Sequence, residues 1–348
     1  MYEIEIVNAA YKLMHDMFNV QKGESVVITA DTETNDEVIL ATAQAAFMLG
    51  AKPIIVKTAS PRGVGKAADK DLPVKALSAL LGATDVWVEF NNEWLLYSTV
   101  FDNAVASNKD LRYMNLAGAN PDLFLRNIGR VDMPILREFI LKMEDVTKKA
   151  KHIKVTTPSG TDLEFDNVPD RPFSTADGYV NKGDIKMLPG QISWTPELKS
   201  INGIMVIDGT LTPPLGKLNT PIKLKIKEGK ITDFEGGTEA KEFEKWIKSF
   251  KDENMFNLAH ISYGFGPGAK LSGDIVEDER VWGSTEWGFG NIGAHLVLDI
   301  PGGIPASSHS DGICLNSSVW LDGTPILING EVVGPNEDVV ELARKLGK

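Results

Sequence analysis

The sequence predicts an α/β protein in two parts: an N-terminal α/β domain with a largely parallel sheet over 1–150, and a C-terminal α+β domain rich in antiparallel strands over 151–348. Three observations carry that reading. Up to about residue 150, short β-branched runs alternate with helical apolar stripes, which is the order of parallel crossover units. After Lys151 the pattern changes to short strands separated by turn residues. A chain of 348 residues is also longer than a single hydrophobic core usually organises.

Taken in order, 4–19 carries Ile4, Val7, Tyr11, Met14 and Phe18 on one helical face, stopped by Lys22-Gly23-Glu24. Ser25-Val26-Val27-Ile28-Thr29 suits a strand buried on both faces. A helix follows over 36–49 and closes at Gly50, and 53–56 forms the next strand. The alternation continues with a helix over 72–81, a strand over 85–90, a helix after Asn92, a strand over 113–116 and a helix over 134–149 opened by Pro134. The glycines of Ser60-Pro61-Arg62-Gly63-Val64-Gly65-Lys66 match neither the Walker nor the dinucleotide spacing, so this stretch reads as a mobile basic loop.

In the second part, 153–156 and 162–165 flank Pro158-Ser159-Gly160 as a hairpin. Strands follow at 191–194, 203–207 and 222–226, the last returning through Glu228-Gly229 to 231–234. One helix spans 239–250, with Phe243, Trp246, Ile247 and Phe250 as its core stripe. Strands then dominate to Gly330, and a helix over 336–346 ends the pattern.

Composition narrows the function. Hydrophobic residues at 43% and charged residues at 24% are ordinary for a soluble globular protein. A net charge of −12 argues against nucleic acid or an anionic membrane as partner, since both attract basic surfaces. The start, Met-Tyr-Glu-Ile-Glu-Ile, has no basic leader, and no apolar run approaches the ~20 residues of a membrane span. The single cysteine, Cys314, reads as a buried structural thiol. Together these lead us to expect a cytoplasmic protein acting on a small molecule.

Chemistry concentrates late in the chain. His260, His295 and His309 are three of only five histidines, and they share 257–322 with Glu277-Asp278-Glu279 and an isolated Glu286. In an extended His309-Ser310-Asp311, residues i and i+2 face one side, so an imidazole and a carboxylate converge. Pro301-Gly302-Gly303-Ile304-Pro305 reads as a rigid loop leading into that motif. Adding His260 gives two nitrogens and one oxygen for a divalent metal. That facial triad is typical of non-haem Fe(II) oxygenases.

Several motifs resemble two related families. Leu188-Pro189-Gly190-Gln191, 203–211, Asp278-Glu279-Arg280, Gly283-Ser284-Thr285 and His309-Ser310-Asp311 follow one another as in the two-metal aminopeptidases of the T and S type. They also follow the order of the 2,5-dihydroxypyridine 5,6-dioxygenases, iron enzymes of nicotinate breakdown with the same fold. The aminopeptidase pattern has a bridging glutamate where this chain has Gln191, Gly-Glu where it has Ala259-His260, and a histidine where it has Glu286. Without a bridging carboxylate, repulsion between two dications ~3.5 to 4 Å apart is not offset, so one metal fits better than two. Ala259-His260-Ile261-Ser262-Tyr263-Gly264 and the late His-x-Asp resemble the dioxygenases, which implies Fe(II) on His260, His309 and Asp311. The dioxygenases use further histidines near their substrate's ring. This chain has Asn91-Asn92-Glu93-Trp94 and Lys186-Met187-Leu188 in those regions, so its substrate is expected to differ. The resemblance also implies a homo-oligomer.

On this reading Glu286 serves as acid or base, its pKa raised if buried near Trp282 and Trp287. Tyr263, Trp194, Trp282 and Trp287 supply apolar pocket walls with polar handles, and Asp177 is a weaker substrate contact. Glu279 is expected in a solvated acidic turn with Glu277 and Asp278, with ion binding as its alternative role. A hydrolase using Zn²⁺, Mn²⁺ or Co²⁺ to activate water, and a non-catalytic ligand-binding member, are the competing readings.

Overall fold

A computed structural model describes residues 2–294 and 296–348; Met1, His295 and the side chain of Glu3 lie outside the described residues. The chain forms two compact units, one of 1–131 with 178–189 and one of 132–177 with 190–348. Segment 178–189 thus returns to the first unit, and the helix Met133–Lys149 belongs to the second.

The first unit is built on a five-stranded, wholly parallel sheet, ordered Lys52–Thr58, Ser25–Asp31, Val86–Glu89, Arg112–Asn115, Ile185–Met187. The run 25–29 forms the buried strand next to the edge, as continuous apolar residues require in a sheet covered on both faces. Three-residue Ile185–Met187 carries no periodicity of its own, which is why the sequence did not announce it. The helix Asp36–Met48 is capped by Asn35, whose Oδ1 accepts from Glu37 N at 2.9 Å. The helix expected over 72–81 begins only at Val74. Pro73 disfavours helical geometry in the residue before it, and Gly65–Asp71 winds as a 3₁₀ turn instead. The basic loop before that turn is tied down, with Arg62 Nη2 2.6 Å from Asp71 Oδ1.

The second unit holds two antiparallel sheets. Its long helix Met133–Lys149 opens at Asp132, which caps Ile135 N at 3.2 Å, with Pro134 in the first turn as the sequence predicts. The eight-stranded sheet runs 230–235, 222–227, 202–207, 162–166, 152–156, 318–321, 324–328, 331–332. It contains the expected hairpin of His152–Thr156 with Asp162–Asp166. It also contains a tight turn in which Glu228 and Gly229 both take positive φ, 50° and 72°, as a two-residue hairpin loop demands. Helix Thr238–Ser249 buries Ala240, Phe243 and Ile247, and Phe243 meets Phe289 at 5.6 Å between ring centres.

The seven-stranded sheet runs 216–217, 210–212, 304–314, 285–292, 258–264, 191–194, 173–176 and positions the candidate site. The overall class is the expected one: a parallel sheet in one unit and antiparallel sheets in the other. Among the described residues no helix is long and apolar enough to cross a membrane.

Candidate metal centre

Strand register sorts the seven-stranded sheet into two chemically different faces. Opposed residues in antiparallel pairs share a face. The pairs His260↔Gly288↔Asp311, Ser262↔Glu286 and Gly290↔His309 therefore put both imidazoles and both carboxylates on one side. Ala259 has no partner, because the register slips between Leu258 and His260. Such a bulge turns a side chain to the other face, here bringing His260 to the face opposite Leu258.

Gly288 makes the cluster sterically feasible. A Cβ there would stand 2.3 Å from His260 Cε1 and 2.4 Å from Nδ1, so the imidazole occupies the space a side chain would need. The two rings stack with centres 5.2 Å apart and planes 13° from parallel. His309 Nε2 stands 3.0 Å from Asp311 Oδ1, and His260 Nε2 stands 3.6 Å from the same oxygen. His309 Nδ1 lies 2.9 Å from Asn291 O, so a proton donated there leaves Nε2 free to act as a ligand. One donor atom from each of His260, His309 and Asp311 lies within 4.8 Å of the others.

Glu286 is fully buried beside this triad. Its Oε2 accepts from Ser262 Oγ, while Oε1 lies 3.0 Å from His260 Nε2 without an aligned hydrogen bond. A buried carboxylate oxygen is costly unless a cation or ligand lies beside it, and here the His260 imidazole is that neighbour. Burial drives the Glu286 pKa upward against the pull of His260. Burial opposes charging of His260, yet Glu286 and Asp311 outweigh it and push the imidazole up to about 9. Burial likewise works against ionised Asp311, but His309 and His260 hold its pKa below the usual carboxylate value. The electrostatics therefore favour positive charge at this spot, and the donor set of two imidazoles and a carboxylate suits a divalent first-row metal.

Glu279 corrects the sequence reading. It does not sit in a solvated turn: Glu277, Asp278 and Arg280 are buried around it. Its Oε2 accepts from Gln191 Nε2 at 3.0 Å and from Arg280 Nη1. Burial, only partly countered by Arg280, pushes its pKa up to about 7. This cluster joins residues 88 apart, and local sequence spacing gave no signal for it.

The structure does not bring Tyr263 and Trp194 to the imidazoles. Tyr263 lies three positions from His260, hence on the opposite face of its strand. There it packs against Trp194 at 4.8 Å, Trp194 stacks on Phe173, and the indole donates to Asn167 Oδ1 at 2.8 Å. Both are buried among aromatic rings on that face. Trp287 shares their face and packs against Phe165, while Trp282 stacks on Phe139. Asp177 is buried with Oδ2 3.2 Å from Arg137 Nε. Cys314 is buried too, and burial pushes its thiol pKa up, which suits a structural role.

Comparison with solved structures gives the class to which this architecture belongs. The 2,5-dihydroxypyridine dioxygenase of Pseudomonas putida KT2440 superposes with a TM-score of 0.79 at 20% identity, covering 95% of this chain and 98% of that one. Wild-type AmpT from Thermus thermophilus superposes at 0.69 with 12% identity, covering 96% of this chain and 100% of that one. The chain thus has the fold common to that dioxygenase and AmpT, with a His/His/Asp cluster on one sheet face. The family model described as "NicX: 2,5-dihydroxypyridine 5,6-dioxygenase" matches residues 7–334, and the chain belongs to that family. A curated 2,5-dihydroxypyridine 5,6-dioxygenase from Pseudomonas putida is 25% identical over 206 residues, a match spanning 57% of this chain and 59% of that protein. The resemblance read from the motifs is thereby borne out.

Proposed function

We propose that this protein is a mononuclear Fe(II)-dependent ring-opening dioxygenase acting on a small, polar aromatic or heteroaromatic substrate. The observation that carries the reading is the convergence of His260, His309 and Asp311 beside a buried glutamate whose Oε1 lacks an aligned hydrogen bond. His260 and His309 as neutral imidazoles and Asp311 as a carboxylate would hold the ion with one unit of net positive charge, which suits an anionic substrate oxygen. Bound Fe(II) supplies open coordination positions and the electrons that let dioxygen react with an organic ring.

The protein's own contribution is positional. Asn291 O fixes the His309 ring through Nδ1, and Gly288 gives the His260 ring its seat. Glu286 accepts from Ser262 through Oε2, leaving Oε1 to take or return a proton on the cluster side. Burial raises its pKa above the usual carboxylate value, which fits a group that takes up a proton during the exchange.

Because a relative in the family acts on 2,5-dihydroxypyridine, that compound is the first substrate to try. Protein loaded with Fe(II) under anaerobic conditions should consume O₂ when given such a ring, and should release no amine from aminoacyl substrates. Amine release without O₂ uptake would transfer the assignment to a Zn²⁺-, Mn²⁺- or Co²⁺-dependent hydrolase.

A further inference from the structure

Next to the triad, the polar face carries a hydroxyl that the fold leaves without a partner. Strand Thr210–Thr212 pairs antiparallel with Ile304–Cys314, and the register sets Thr212 directly opposite Asp311. Opposed residues share a face with their Cβ atoms about 4.5–5.5 Å apart, so the Thr212 hydroxyl and the Asp311 carboxylate border the same space. Thr210, two positions earlier and on the same strand face, donates its hydroxyl to Asp278 Oδ2. Thr212 Oγ1 is buried and makes no hydrogen bond, to Asp311 or to any other described residue. A hydroxyl in that condition costs free energy until something binds it.

The backbone gives Thr212 no other choice of partner. Ser310 Oγ donates to Pro213 O at 2.6 Å and Leu215 N donates to Leu211 O at 3.1 Å, which pins the turn after Thr212 to the strand that carries Asp311. Leu211, facing the other way, is wholly buried, so the strand cannot roll. Exposure then shows from which side a ligand arrives. The Glu286 side chain has no exposed surface, whereas Asp311 keeps 18% and His309 34%. The accessible flank of the centre is therefore strand Ile304–Cys314, and its outer neighbour is Thr210–Thr212, where Thr212 itself is partly exposed. Thr195 Oγ1 is unpartnered as well, but Thr195 has no exposed surface, and no ligand reaches it.

We propose that Thr212 is a substrate-binding residue whose hydroxyl donates to an oxygen substituent of the ring held at the His260, His309 and Asp311 centre. A hydroxyl can donate or accept. Beside a centre whose net positive charge draws an anionic oxygen, donation is the complementary role. Thr212 thereby favours hydroxylated rings over bare ones, because a ring without the oxygen would leave the hydroxyl unpaired.

This inference rests on the metal-centre reading, and binding measured apart from turnover separates the two. Whole protein loaded with Fe(II) without oxygen is titrated calorimetrically with 2,5-dihydroxypyridine, catechol and hydroquinone, and with pyridine as the ring that carries no oxygen. Wild type is compared with Thr212→Val, which keeps the shape and removes the hydroxyl, and with Thr212→Ser, which keeps the hydroxyl. All three should hold the same amount of metal, and Thr212→Val should melt no lower than wild type, since the hydroxyl it lacks has no partner in the free protein. For the hydroxylated ring that wild type binds most tightly, the dissociation constant should rise about 10- to 100-fold in Thr212→Val and return to within about three-fold of wild type in Thr212→Ser. Pyridine should not distinguish the variants. An unchanged dissociation constant in Thr212→Val, a loss that serine does not restore, an equal loss for pyridine, or a lower melting temperature or metal content in Thr212→Val would overturn the inference and leave the metal centre standing. A loaded wild type that binds none of the hydroxylated rings would overturn the ring-substrate reading and this inference together, and a wild type that takes up no metal would overturn the centre itself.

Discussion

Two fully buried glutamates, one in each unit, have raised pKa values for the same first reason and yet differ in kind. Glu89 ends a strand of the parallel sheet, where burial pushes its carboxyl up to about 7. It accepts from the Tyr113 hydroxyl and the Leu95 amide, and Asn115 Nδ2 lies 3.5 Å away. Glu286 is equally buried, but Oε1 lacks an aligned donor and two imidazoles with a second carboxylate, Asp311, lie on its side. A perturbed pKa therefore does not distinguish a site from a core. The ligand-capable donor atoms gathered beside it do.

The largest expected effect tests the ligand-bearing side of that contrast. His309→Ala should weaken metal binding by more than about 100-fold, since it removes a ligand outright where loss of an outer partner alone costs 10–100-fold. The fold should remain, as judged by circular dichroism. Full metal occupancy in that variant would exclude His309 as a ligand. Next, Glu286→Gln should lower kcat by roughly 10²–10⁴-fold, the usual weight of a general acid or base, while metal content stays near wild type. Equal loss of metal and turnover would make Glu286 a ligand instead.

Glu89 should behave oppositely, affecting stability and not chemistry. In the folded chain it keeps its proton up to about pH 7, whereas the unfolded chain gives it up near 4.5. Between those values folding takes up a proton, so stability falls as pH rises, by up to about 3 kcal/mol from this group. Urea midpoints measured across that range should show the slope in wild type and lose it in Glu89→Gln, with turnover unchanged. A catalytic defect in Glu89→Gln would erase the contrast. The smallest effect is expected from Tyr263→Phe on the aromatic face, with KM changed by less than about two-fold and stability by about 1 kcal/mol. A large rise in KM would return Tyr263 to the substrate pocket.

How much of this could be read in advance depended on the range of the interaction. The side-by-side placement of His309 and Asp311 follows from the two-residue period of a strand, so the motif announced itself. The same period separates Tyr263 from His260, and that signal was present in the sequence but overridden by the expectation of an aromatic-lined pocket. The bulge at Ala259 could not be read, because it depends on register against a strand nearly thirty residues later. Nor could the Gln191–Glu279–Arg280 clamp, whose members meet only after the sheet forms. The parallel sheet was visible in its β-branched runs, except for Ile185–Met187, which is too short to show a pattern and is recruited by pairing with Arg112–Asn115.

The central claim is that His260, His309 and Asp311 grip one ion, and elemental analysis of protein purified without oxygen tests it most directly. The account predicts one equivalent of a divalent metal per chain in the wild type and none in a variant with all three ligands replaced by alanine. A wild type that binds no metal when offered Fe(II), or a triple variant that keeps its ion, would contradict it.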